Sequence, residues 1–187
     1  MTVAHTPNRV CKTLAIHPLK TTFRFITETF FVDFLTLTNN FAIVNNESQH
    51  SYKHRMPAQL RFSDVDRFGH VNNSVYFSLF DMCKTRYFQD VMGTDIFDRM
   101  APVVVHIEAN FISPVLFPDE IVIDTSITKI GTKSFTLMQR AVNKRTDEVK
   151  CFCETVMVMM DTATNKSVEI DEEFRTRALA FENQSIV

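Results

Sequence analysis

With 187 residues, 45% of them hydrophobic, the chain has material for one domain with a substantial core and is a tight fit for two. A net charge of -2 and a pI near 6.3 exclude the basic field that nucleic acid requires. No stretch approaches the ~20 apolar residues of a membrane span, so a soluble protein is expected.

Residues 1–55 differ in character from the rest of the chain. Thr and Asn recur there, and the segment from Thr22 to Phe34 is rich in phenylalanine without clean periodicity. Up to Thr27 there is no acid, while Arg9, Lys12, Lys20 and Arg24 supply positive charge, a weak likeness to an organelle transit peptide. Glu28 and Asp33 interrupt the apolar part and exclude a secretory signal. The preferred reading is that translation starts at Met56, with residues 1–55 an extension of the gene model and residues 56–187 the working domain. Cys11, Cys83, Cys151 and Cys153 form no CxxC pair and no Cys/His cluster, so they read as reduced core thiols of a cytoplasmic protein, with no metal and no cofactor implied.

From Met56 the pattern is orderly. A short strand is expected over Ala58–Phe62, then a polar turn and a helix from about Ser74 to Met92. In that helix Tyr76, Phe80, Cys83, Tyr87 and Val91 recur at helical spacing, with Ser78, Thr85 and Gln89 opposite. Gly93 stands where a residue of positive φ would end it. Four strands come next, over Val103–Phe111, Glu120–Ile130, Ser134–Lys144 and Val149–Asp161, with hairpin turns at 130–133 and 146–148. A last helix is expected over Asp171–Phe181, opened by three acids where the helix dipole favours them. The order predicts an α+β domain, one antiparallel sheet of about five strands packed on one long helix.

The turn is the most informative stretch. Asp64-Val-Asp66-Arg-Phe-Gly69-His70-Val-Asn72-Asn73 gathers two carboxylates, a glycine, an imidazole and two carboxamides just before a helix start. The first turn of a helix carries backbone N–H groups without intrahelical acceptors and about half a positive charge. That suits a reaction in which a carbonyl oxygen gains negative charge, with a nearby aspartate as base or nucleophile. Taken singly, Asp64 reads as a turn-stabilising acceptor, Asn72 or Asn73 as a helix N-cap, and Asp81 as a surface partner of Lys84 or Thr85. His106 and Glu108 share one strand face without defining a site, and Val156–Met160 reads as core packing.

This signature, with Tyr76 just beyond it, resembles that of hotdog-fold acyl-CoA thioesterases, in the 4-hydroxybenzoyl-CoA thioesterase group and its long-chain acyl-CoA branch. The likeness runs from about Ala58 to Asp161. It implies a hotdog fold, the sheet wrapped around the central helix, and active sites between the subunits of a homodimer or a dimer-of-dimers tetramer. It implies an acyl-CoA substrate, with Asp66 as the catalytic carboxylate, the backbone N–H near Asn73 as the donor to the thioester carbonyl, and His70 in the catalytic set. Gly69, Asn72 and Tyr76 are carried over as substrate contacts. Lys133-Ser134-Phe135 is similar to the segment that holds coenzyme A phosphates, which makes Lys133 and Ser134 the expected nucleotide contacts. Two arginines that precede that lysine in the relative are Gly131 and Thr132 here. An acyl-carrier-protein thioesterase, a dehydratase or hydratase on the same fold, and a non-catalytic acyl-binding module are the alternatives.

Overall fold

A computed structural model of the chain describes residues 50–93, 97 and 100–182. The chain divides between Ala42 and Ile43, and every described residue falls in the unit from Ile43 to Val187. Most of the segment read as an extension, residues 1–49, therefore lies outside the described residues.

Five long or medium strands form the sheet: β1 (His54–Ala58), β2 (Met100–Phe111), β3 (Ile121–Ile130), β4 (Ser134–Asn143) and β5 (Val149–Asp161). Their order is β1-β3-β4-β5-β2, every pairing is antiparallel, and a two-residue strand β6 (Lys166–Ser167) adds to β5. The sheet curls around α1 (Asn73–Tyr87), whose final turns, Phe88–Met92, widen into π-helical geometry. A second helix, α2 (Glu172–Glu182), packs at the far end of α1. This is the hotdog architecture that the sequence predicts.

The first strand lies four residues upstream of its expected position, and the reason is local. Pro57 has no N–H and suits an edge strand, which β1 is. Beyond Ala58, the Arg61 N–H donates to Asp64 Oδ2 at 2.7 Å and the Asp64 N–H to the Arg61 carbonyl at 3.0 Å. These bonds wind residues 62–64 into a 3-10 turn and leave Phe62 83% exposed, so Phe62 is not in a strand. β1 also starts two residues before Met56, and Arg55 forms a two-pronged ion pair with Asp124 at 2.6 and 2.9 Å. Gly93 has φ 75° and ψ 176°, a region open essentially to glycine alone, and the helix stops there as expected.

Tyr76, Leu79, Phe80, Cys83 and Tyr87 are the buried stripe of α1. The first half of the helix packs with Ile121, Ile123, Ala141, Cys151 and Cys153 of β3, β4 and β5. Its last turns pack with Ile127, Phe135, Leu137, Met157, Met159 and the α2 residues Phe174 and Ala178. Burying one side chain such as Phe80 contributes roughly 1.5–3 kcal/mol, so the helix is held by its face rather than by propensity. Polar ties fix the ends. Glu182, the last residue of α2, is buried and accepts from the Tyr87 hydroxyl at 2.5 Å, Ser126 Oγ at 2.9 Å and the Ile127 N–H at 2.9 Å. Among the described residues no helix is long and apolar enough to cross a membrane.

Cys83, Cys151 and Cys153 are buried free thiols. Burial pushes Cys83 and Cys153 up to about 11 and Cys151 up to about 12. Because the thiolate is the reacting form, these three should label with iodoacetamide at pH 8 only as fast as the domain opens. Peptide mapping by mass spectrometry should find them unmodified in native protein and fully modified in urea; rapid native labelling of any one would contradict the packing described.

Candidate active site at the start of the central helix

The turn that leads into α1 is built almost wholly from its own backbone. The Asp66 N–H donates to the His70 carbonyl at 2.8 Å and the Gly69 N–H to the Asp66 carbonyl at 3.0 Å. Val65 and Val71 form an antiparallel bridge at its base. The Asp66 carboxylate closes the loop: Oδ1 accepts the N–H groups of Phe68 at 2.8 Å and His70 at 3.2 Å. Both bonds fall on one oxygen, and among the described residues Oδ2 accepts none. Gly69 has φ 82°. Its missing Cβ would meet nothing within 4 Å, so backbone conformation and not space calls for glycine here.

The loop is strapped to its surroundings. The Val71 N–H donates to the Val115 carbonyl at 2.9 Å, and His70 bridges Leu116. Tyr76 is buried, its ring edge-on to Phe111 at 5.2 Å, and its hydroxyl accepts the Val115 N–H at 3.2 Å. Burial pushes the Tyr76 hydroxyl up to about 12. Its hydroxyl oxygen thus takes part in the strap beneath the turn. Asp64 takes the structural part: its carboxylate accepts from Arg61, and its carbonyl accepts the Asn72 N–H at 2.9 Å.

Asn72 caps the helix. Its side-chain oxygen accepts the Ser74 N–H at 3.0 Å and Ser74 Oγ at 2.9 Å, while its carbonyl accepts the Val75 N–H at 2.9 Å. Among the described residues the Asn73 N–H has no acceptor. Among the described residues this leaves an amide without an acceptor at the positive end of a long helix, a few residues along the chain from Asp66.

Asp66 is exposed in the single chain and His70 half-buried, and Asp66 lines neither of two cavities found among the described residues. One of these, about 360 Å³, lies beside the turn and is lined by Gln59, Arg61, Asp64, Val75, Ser78 and Met82, among others. The second, about 350 Å³, lies at the other end of α1. Lys133 and Ser134 are not brought to Asp66. They belong to the β3–β4 hairpin, whose Ile130 and Phe135 pack on Tyr87, Phe88 and Met92. From Asn73 to Tyr87 the helix rises roughly 21 Å at about 1.5 Å per residue, so Lys133 and Asp66 of one chain stand at opposite ends. Lys133 Nζ donates to the Ser167 carbonyl at 3.2 Å. Asp81 pairs with Lys84 at 2.5 Å, as read from sequence, but Lys84 is buried, which the polar spacing gives no reason to expect. Among the described residues no three His, Cys, Asp or Glu side chains converge as a metal-binding group.

Residues 60–178, more than half of the chain, match the thioesterase-like superfamily, and the chain belongs to that family. It is 29% identical over 119 residues to the uncharacterized protein YsmA of Bacillus subtilis, covering 63% of this chain and 80% of YsmA. Among solved structures, the PA5185 protein from Pseudomonas aeruginosa superposes with a TM-score of 0.64 at 27% identity, over 70% of this chain and 92% of that one. A thioesterase from Thermus thermophilus solved with coenzyme A and zinc gives a TM-score of 0.64 at 24% identity, over 72% of this chain and 97% of that one, a likeness of fold.

Gly69→Ala should cost about 1 kcal/mol through the positive φ alone, whereas Gly69→Asn, which tolerates that region better, should cost less. Urea midpoints at unchanged m-value measure both. Equal losses would mean that the turn does not hold this conformation in solution.

Proposed function

We propose that the protein is an acyl-CoA thioesterase. The observation that carries this reading is the Asp66 turn leading directly into the helix whose Asn73 N–H has no acceptor among the described residues, in a member of a thioesterase-like family. The thioester carbonyl oxygen accepts from that amide, where the helix dipole opposes the charge that builds as the carbonyl carbon becomes tetrahedral. A preorganised donor of this kind is typically worth ~3 kcal/mol. Asp66 Oδ2 then acts in one of two ways. As a base it takes a proton from water, whose oxygen bonds to the carbonyl carbon as the C–S bond breaks. As a nucleophile it forms a mixed anhydride that water afterwards cleaves. Both routes release the free acid and coenzyme A thiol. His70, on the same turn, stands beside the reacting atoms, Gly69 lets the loop close under them, and Asn72 holds the helix start in place. Tyr76 acts through Val115 as a positioning residue.

Two features favour a site shared by two copies. Asp66 is open to solvent in one chain, and the expected nucleotide contacts Lys133 and Ser134 lie at the other end of α1. The edge strand β2 offers a surface for pairing: Val103, Val104, Val105, Ile107 and Phe111 are all exposed on it. Long, apolar, unpaired edges are what natural sheets avoid unless they are covered. An isologous dimer through β2 covers it in both copies.

Asp66→Asn retains an oxygen able to accept the Phe68 and His70 amides, so the turn should persist while the charge is lost. Hydrolysis of a panel of acyl-CoA thioesters, monitored by thiol release, should fall by at least about 100-fold in kcat with an unchanged unfolding midpoint. Activity within a few-fold of wild type would remove Asp66 from the chemistry. A single turnover in labelled water separates the routes, since label in Asp66 marks the anhydride. The double variant V103K/I107K should convert a dimer to a monomer in sedimentation and abolish turnover; a dimer that survives would mean that β2 is not the joining edge.

A further inference from the structure

The segment between β2 and β3, residues 112–120, is the surface against which the Asp66 turn lies. The Val115 carbonyl accepts the Val71 N–H at 2.9 Å, and the Val115 N–H donates to the Tyr76 hydroxyl at 3.2 Å. Leu116 pairs with His70 in an antiparallel bridge. His70 in turn exchanges bonds with Asp66: its carbonyl accepts the Asp66 N–H at 2.8 Å, and its N–H donates to Asp66 Oδ1 at 3.2 Å. A shift of residues 115 and 116 is therefore passed to the carboxylate. Apolar packing gives this segment little hold, since Leu116 and Phe117 are exposed and Val115 is its one side chain within the core clusters.

What holds the segment is polar and comes from the hairpin that joins β4 to β5. At its downstream end the Lys144 N–H donates to the Glu120 carbonyl at 2.8 Å. At its upstream end the N–H groups of Ile112 and Ser113 donate to the Lys150 carbonyl at 2.9 and 3.2 Å. Glu148 completes the upstream end with both carboxylate oxygens: Oε1 accepts from Ser113 Oγ at 2.6 Å, and Oε2 from Lys150 Nζ at 2.8 Å. Its own backbone is fixed, because its carbonyl accepts the Asn143 N–H at 2.9 Å. The bonds from Lys150 and then Ser113 hold the Glu148 carboxyl below the usual carboxylate range, so this clasp is closed at neutral pH. The Lys150 side chain is buried but that of Glu148 is half exposed, and an ion pair with so exposed a member contributes little to overall stability.

The geometry points to Glu148 as a positioning residue for thioester hydrolysis: by clasping Ser113 to Lys150 it fixes residues 112–116, and through Val115 and Leu116 it fixes the Asp66 turn. The inference rests on the thioesterase reading above. Glu148 acts at a distance, from Ser113 along the chain to Val115 and Leu116, across to Val71 and His70, and so to Asp66. A displacement of about 1 Å at the reacting groups is enough to cost on the order of 100-fold in rate. A loosened clasp is therefore felt in kcat more than in substrate binding.

The test uses the full chain and the acyl-CoA that the wild type hydrolyses fastest, with thiol release followed well below each variant's unfolding midpoint. Glu148→Ala should lower kcat about tenfold or more while KM stays within about twofold. Glu148→Gln keeps an oxygen for Ser113 Oγ and should recover kcat to within about threefold of wild type. Ser113→Ala removes the other half of the same bond, so combining it with Glu148→Ala should cost no more than Glu148→Ala alone. Ser126→Ala, which removes a tie between β3 and α2 at the other end of the domain, should leave kcat unchanged and shows what a loss of structural contacts does by itself. Should Glu148→Ala fail to fold, Ser113→Ala carries the same comparison of kcat with KM, because it leaves Lys150 paired. A kcat within about twofold of wild type once the clasp is broken, a loss carried by KM, no recovery in Glu148→Gln, losses that multiply in the double variant, or an equal loss in Ser126→Ala each overturns the positioning role. All of these leave Asp66-dependent hydrolysis standing, whereas no turnover of any acyl-CoA by the wild type overturns the thioesterase reading and this inference together.

Discussion

Everything in this domain depends on one helix being surrounded by one sheet. The stripe of α1 from Tyr76 to Tyr87 gives β3, β4 and β5 a common surface to close on. The strands in return supply the apolar contacts that a helix of this length lacks in water. Gln139, buried in β4, donates to the Phe80 carbonyl at 3.0 Å and so ties the middle of the helix to the middle of the sheet. The start of α1 is tied by the Asn72 cap and by the Tyr76 bond to Val115, as the amide donor of the proposed mechanism requires.

Buried polar groups set the limits of this arrangement. Asp124, fully buried on β3, is gripped by Arg55 from β1 and by Arg140 from β4 at 2.8 Å, which fixes three neighbouring strands in register. The pairing also raises the Arg55 guanidinium further, mainly through its hydrogen bond to Asp124. Glu182 performs a comparable task at the other end, joining α2 to α1 through Tyr87 and to β3 through Ser126 and Ile127. In both cases a carboxylate taken out of water is matched by several donors, the condition under which a buried charge is tolerated.

The chemistry is divided along the helix. At its start stand a carboxylate on a solvent-facing turn and an amide without a partner. At its end stand a largely apolar cavity, with buried Lys84 among its lining residues, and the hairpin that carries Lys133. Two ends of one helix cannot meet; only in the dimer proposed above would unlike ends of two copies come together. The exposed apolar residues of β2 are the surface that the proposed dimer would cover.

The sequence by itself determined the elements whose signals are local. The 3.6-residue stripe marks α1, the glycine at 93 marks its end, and the Asp66 turn is legible because its hydrogen bonds close within five residues. It also narrowed the cap to Asn72 or Asn73 and gave Asp64 the turn-stabilising part, since these act on neighbours; the structure puts the cap on Asn72. The position of β1 is not legible in this way, because His54–Ala58 lacks β-branched residues and a regular alternation; it comes from pairing with β3, some seventy residues away. Tertiary structure alone decided that Tyr76 spends its hydroxyl on Val115, that Lys84 is buried, and that Lys133 lies far from Asp66. These depend on residues distant in sequence meeting in space, such as Tyr76 with Val115, and burial or partnership of that kind leaves no periodic trace along the chain.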